Sequence, residues 1–185
     1  MRLFTAAIVA VMSVGLAVGC SHQKANTLAM KDKVEQSLNQ NGLGKVKVDE
    51  DRDKGVVTLK GDVQSAAEKL RAEQLAQQAA PGRIIANELA VRPSGMEDTA
   101  KKVDSNTDDA IEDHFKAMIA ANKWENQHIR SDAKNGVLTL KGDVDTPAQR
   151  SEVEKSAASI PGVHQVVNEL TVKGNKSNAK ANKTQ

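Results

Sequence analysis

The stretch GVVTLKGDV at 55–63 returns as GVLTLKGDV at 136–144, with one change in nine positions and an offset of 81 residues. A chain that repeats itself must fold the same unit twice. A period near 80 is too long for a solenoid repeat of roughly 20–50 residues, so the pattern predicts two tandem domains. PGRIIANELAV and PGVHQVVNELTV extend the repetition, and the first is one residue shorter.

Both copies read alike. Leu28, Val34 and Leu38 take helical spacing before the stop at Asn41-Gly42, and Ile111, Phe115, Met118 and Ile119 share one face of 108–121. Short strands, KVKVDED and QHIRSDA, lead through Lys54-Gly55 and Asn135-Gly136 into the repeated strand. Asn-Gly between strand-like runs signals a hairpin. Alternation then points Val57, Leu59, Leu138 and Leu140 inward, together with Gly61 and Gly142. It points Val56, Thr58, Lys60 and Val137 outward. Glycine in the inward register predicts close backbone approach or a turn. Ser65-x-x-Glu68 and Thr146-Pro147-x-Gln149 read as capping boxes opening second helices, which stop before Pro-Gly. Final strands follow at 84–91 and 165–172. The expected class is α+β: two tandem αββαβ domains, each a small mixed three-stranded sheet with two helices on one face. Their expected spans are 28–91 and 108–172, joined by a polar linker at 92–107.

That element order, GVVTLKGDV, the Pro-Gly turn and VVNEL resemble the BON domain, a periplasmic module of Gram-negative bacteria. The duplication behind a cysteine-ended leader is similar to dual-BON outer-membrane lipoproteins and osmotically inducible periplasmic BON proteins. The resemblance implies association with phospholipid membranes, a role in envelope integrity, and no catalysis or cofactor.

The leader, residues 1–19, has one base, Arg2, then an apolar run from Leu3 to Val18 ending at Cys20. Such a run is short for a membrane span of roughly 20 residues and suits a secretory signal. LAVGC resembles a lipobox, which would make Cys20 the lipidated mature N-terminus, although Ala17-Val18-Gly19 also fits an ordinary cleavage site. With Ser21 next, enteric-type sorting would send the lipoprotein to the periplasmic face of the outer membrane; the alternative is the soluble periplasm. Residues 20–27 read as a tether. The tail, 173–185, carries Lys173, Lys176, Lys180 and Lys183 without an acid. It reads as disordered, either plainly solubilising or attracted to anionic lipid. A net charge of +2 does not announce nucleic acid.

Chemistry is sparse. Cys20 is the sole cysteine, and the four histidines are scattered. No metal site is expected from them, and the acids Asp49, Glu50, Asp51 and Asp53 read as a solvated hairpin. Asn87 and Asn168 fall in the core-facing register, where a buried amide needs partners; a structural clamp is favoured over a ligand contact. Aromatic residues make up only 2%, so the core is aliphatic. Of the mature chain's two aromatics, Phe115 suits the core. Trp124, nine residues on, either sits at a membrane interface or folds back as a plug. If domain two touches lipid, Lys116, Lys123, Ile119 and Trp124 are the expected contacts, with Asp108, Asp109, Glu112 and Asp113 at the helix start. The partner is then an anionic phospholipid membrane. An adaptor binding envelope proteins or cell wall through sheet edges is the alternative.

Overall fold

The computed structural model describes residues 29–125 and 127–173. Cys20, the leader, the tether and the basic tail beyond Lys173 lie outside the described residues. Domain one contains α1 (Met30–Gln40), β1 (Lys47–Asp51), β2 (Val56–Lys60), β3 (Asp62–Val63), α2 (Ala66–Ala79), β4 (Ile84–Asn87) and β5 (Ala90–Val91). Domain two contains α3 (Glu97–Ala121), β6 (His128–Lys134), β7 (Val137–Val144), α4 (Pro147–Ala158) and β8 (Gln165–Val172).

Each main sheet has three strands, ordered β1-β2-β4 and β6-β7-β8, with β3-β5 as a short extra pair. The hairpin pairs are antiparallel, and the strand after each second helix returns parallel to the repeated strand. This is the expected crossover, and the α+β class of two αββαβ units holds. Helices seal one face of each sheet. Val34, Leu38, Val57, Leu59, Ala72 and Leu89 fill one core. Ile111, Phe115, Leu138, Leu140, Val153 and Leu170 fill the other. Ser65 accepts from the Glu68 N–H, whereas Thr146 and Gln149 form the full reciprocal box.

Three features depart from the sequence reading. The expected linker is mostly helix, since α3 begins at Glu97 and runs 25 residues. Arg92 holds it by pairing with Asp104 on α3 and with Asp62 of domain one, the latter at 3.8 Å. Asp108 therefore lies three turns inside the helix rather than at its start. Second, the sheets do not expose their helix-free faces. Val56 and Ala86 meet Val137 and Val167 in a separate buried cluster, so residues expected to face outward form a layer between the domains. The layer is close to two-fold symmetric. Lys54 Nζ donates to the Glu169 carbonyl at 3.1 Å, and its counterpart Asn135 donates through Nδ2 to the Glu88 carbonyl at 2.7 Å.

Third, the two hairpins differ in register. Asp51 pairs with Val56 across a four-residue turn, but Lys134 pairs with Val137 across the two-residue Asn135-Gly136 turn. Both residues of that turn have positive φ, 49° and 79°, as a type I′ turn requires. Strand β6 is thereby slipped by two residues relative to β1. An even slip keeps each side chain on its face but changes its neighbours.

Candidate functional site

The residues expected to touch lipid sit where α3 ends. Ala121 closes the helix, and the chain reverses through a Schellman motif: Trp124 N–H reaches the Ile119 carbonyl at 3.0 Å and Lys123 N–H the Ala120 carbonyl at 3.1 Å. Domain one makes the same reversal, with Leu43 N–H on the Leu38 carbonyl at 2.9 Å and Gly42 N–H on the Asn39 carbonyl at 3.2 Å. In this motif the residue after the left-handed one packs back onto the helix. Trp124 is accordingly the counterpart of Leu43. It is 7% exposed within the core of domain two. The interfacial expectation for Trp124 is corrected: the tryptophan plugs the core.

Lys116 and Lys123 remain exposed on that end of the helix, and Ile119 is half-buried. Lys116 pairs with Asp113 at 3.2 Å. Lys123 adopts φ 56°, where domain one has Gly42 at 79°. A lysine in this left-handed slot costs roughly 1–2 kcal/mol relative to an unstrained residue.

The four structural residues divide into two pairs. Gly61 and Gly142 have φ 118° and 120°. A Cβ on Gly142 would lie 1.7 Å from the His128 carbonyl oxygen, whereas one on Gly61 would stand 3.5 Å from that of Lys45. Asn87 and Asn168 are 3% and 8% exposed. Each clamps the second helix of its own domain. Asn87 Nδ2 donates to the Lys69 carbonyl and the Glu73 carboxylate, both at 3.0 Å. Asn168 Nδ2 donates to the Arg150 carbonyl at 3.3 Å and the Glu154 carboxylate at 2.8 Å. The clamp reaches a helix rather than a turn, and its partners are spaced i, i+4 in both copies.

Sequence reasoning missed a second set of clamps. Asp108 accepts from the N–H groups of Asn135 at 2.9 Å and Gly136 at 3.1 Å, and Glu112 accepts from Ala133 N–H at 3.2 Å. Gln165 reads the outer edge of β4: its Oε1 accepts from Asn87 N–H at 3.2 Å, and its Nε2 donates to the Ile85 carbonyl at 2.6 Å. The repeat itself carries a usable signal, because Ile84 occupies the position where the second copy has Gln165.

Between the domains lies a cleft of about 680 Å³, lined by Lys60, Glu88, Asp108, Asp132 and Lys134 among others. Burial pushes the Glu88 carboxyl above the usual range; Asp132 adds to this, while Lys60, Lys141 and Lys134 oppose it. Burial likewise lowers the Lys69 ammonium, whose Nζ donates to the Asn135 carbonyl at 3.3 Å. The cleft wall is acidic on balance, with seven acids, among them Asp62, Glu88 and Asp132, against Lys60, Arg92, Lys101 and Lys134. Among the described residues no group of three or more His, Cys, Asp or Glu side chains is placed to hold a metal ion. No described helix is long and apolar enough to cross a membrane.

The chain is similar to several known proteins. The osmotically-inducible protein Y of Escherichia coli (strain K12) is 31% identical over 122 residues, which cover 65% of this chain and 59% of that protein. A solved structure of CdsD, a structural protein of the Type III secretion system of Chlamydia trachomatis, covers 83% of this chain and 97% of its own, at 10% identity and TM-score 0.35. The CdsD C-terminal domain gives 9% identity and TM-score 0.32, covering 80% of this chain and 98% of its own. The BON domain model matches residues 27–93 and 107–174, one match on each repeat. The chain belongs to the BON-domain family and carries the domain twice.

Proposed function

We propose that this is a non-enzymatic envelope protein, lipid-anchored through Cys20 at the periplasmic face of the outer membrane, that binds anionic phospholipid and supports the membrane under osmotic stress. The leader ending in LAVGC supports the anchor, and the inducible relative supports the stress setting. The observation that carries the lipid contact is Lys123. Domain one relaxes the same turn with glycine, while domain two keeps a strained cation beside Lys116 and Ile119. Strain retained at one residue points to a use for its side chain. Trp124 takes no part in this contact.

Two experiments test the reading. Cys20→Ala should release the protein from membranes; a wild-type protein that is wholly soluble and unacylated refutes the anchor. In fragment 21–185, Lys123→Gly should raise stability while lowering binding to phosphatidylglycerol vesicles. Vesicle binding unchanged by Lys123→Gly and Lys116→Ala together would remove this surface from the contact.

A second reading, an adaptor that binds envelope proteins by strand addition, is favoured by one observation, the outer edge of β6.

A further inference from the structure

A groove of about 520 Å³ runs between the C-terminal half of α3 and β6. Half-buried Ile119 and Ile129 line it with apolar surface over Phe115, which is itself 2% exposed, and Lys116, Arg130 and Gln127 stand among its polar walls. Domain one buries the matching place. There Val48 pairs with Leu59 and is 2% exposed, sealing helix against strand. The two-residue slip of β6 puts Ser131 opposite Leu140, the counterpart of Leu59, so a small polar side chain stands where domain one has valine.

The backbone beside the groove calls for a partner. In a two-residue hairpin the flanking pair, Lys134 and Val137, exchanges hydrogen bonds, and pairs alternate from there. Ala133, Ser131 and Ile129 therefore turn their N–H and C=O groups away from β7. Ala133 N–H bears this out by meeting Glu112 of α3. Among the described residues none hydrogen-bonds to the outward backbone groups of Ser131 or Ile129. At the groove's end Gln127 Oε1 is buried without a partner, while its Nε2 is held by Asp145 at 2.8 Å. An unpaired ladder beside an apolar floor is what an added strand requires.

We propose that an extended peptide segment of another protein adds to the outer edge of β6, pairing with Ser131 and Ile129 and setting one apolar side chain over Phe115 and Ile119. An acyl chain would fill the floor but leave every one of those backbone groups unpaired. The chain's own tail, KGNKSNAKANKTQ, has no apolar side chain larger than Ala179 and Ala181 to offer the floor. This inference deepens the adaptor reading, and the groove shares Lys116 and Ile119 with the proposed lipid contact.

The probe is a phage-displayed heptapeptide library panned against fragment 21–185. Two variants keep the fold while changing the groove. Ser131→Val rebuilds the wall of domain one, and Ser131→Pro removes an N–H that faces away from the ladder, a position where an edge strand tolerates proline. The expected result is enrichment of peptides with alternating apolar residues, each losing about tenfold or more in affinity to both variants. Enriched peptides that bind both variants equally would overturn the groove while leaving an adaptor in place. No enrichment over the Ser131→Val protein would overturn both. Loss of phosphatidylglycerol vesicle binding in Ser131→Val, with peptide binding retained, would reassign the groove to lipid.

Discussion

Asp108 sits three turns inside α3, yet its carboxylate grips both residues of the Asn135-Gly136 turn. One side chain thus ties the interdomain helix to the hairpin that places β6. Asp108→Ala leaves the buried Gly136 N–H and the partly buried Asn135 N–H unpaired, which costs about 2 kcal/mol. A lowered urea midpoint in fragment 21–185 checks this. Asp108→Asn, which keeps an acceptor oxygen, should cost less.

Trp124 fluorescence reports the plug directly, because the chain has no other tryptophan. Its emission should be blue-shifted, shielded from aqueous quencher, and unchanged on adding phosphatidylglycerol vesicles. Trp124→Ala should cost about 3–5 kcal/mol through the cavity it leaves. Trp124→Leu should cost clearly less, since Leu43 fills the same place in domain one. Emission that moves to the blue with lipid would contradict the plug.

The two inward glycines should respond unequally. Gly61→Ala carries the left-handed penalty of roughly 1–2 kcal/mol, because 3.5 Å is ordinary contact for its new Cβ. Gly142→Ala adds a clash with the His128 carbonyl to the same penalty. Thermal melts of the two variants should rank Gly142→Ala well below Gly61→Ala.

Glu88 gives the interdomain layer a pH dependence. Burial raises its pKa in the folded state above the ordinary 4.5, so the folded protein holds this proton more tightly than the unfolded chain. Its contribution is fully present below the unfolded value and is lost as pH rises through the folded one. Glu88→Gln should therefore gain on the wild type as pH increases from about 4 to 7. Urea titrations at both pH values check the sign; a constant difference between the two proteins would show that Glu88 is not perturbed.

Much of this architecture was legible in the chain. The period of two in GVVTLKGDV, the Asn-Gly turn and the Thr146 cap each act through local chemistry, and each appears where the residues say. The Asn87 and Asn168 register was equally readable, since an inward amide needs partners and both Nδ2 groups find them. The helix over 97–107 was not, because Asp, Thr, Ser and Asn are poor helix formers and a tertiary pair, Arg92 with Asp104, holds them. Nor was the layer of Val56, Ala86, Val137 and Val167: alternation tells two faces apart but not which neighbour covers the second. The burial of Trp124 was written in the repeat. Lys123 in the slot of Gly42 hides the helix stop from any reading that looks for glycine.

The paired sheet faces carry a consequence for how such a chain can change. Each repeat uses the other to keep its valines from water, so neither can be deleted without stranding an apolar surface on the survivor. The two copies differ instead on the opposite, helix-covered side of each sheet. There Val48 seals the wall of the first copy, while Ser131 leaves a groove in the second.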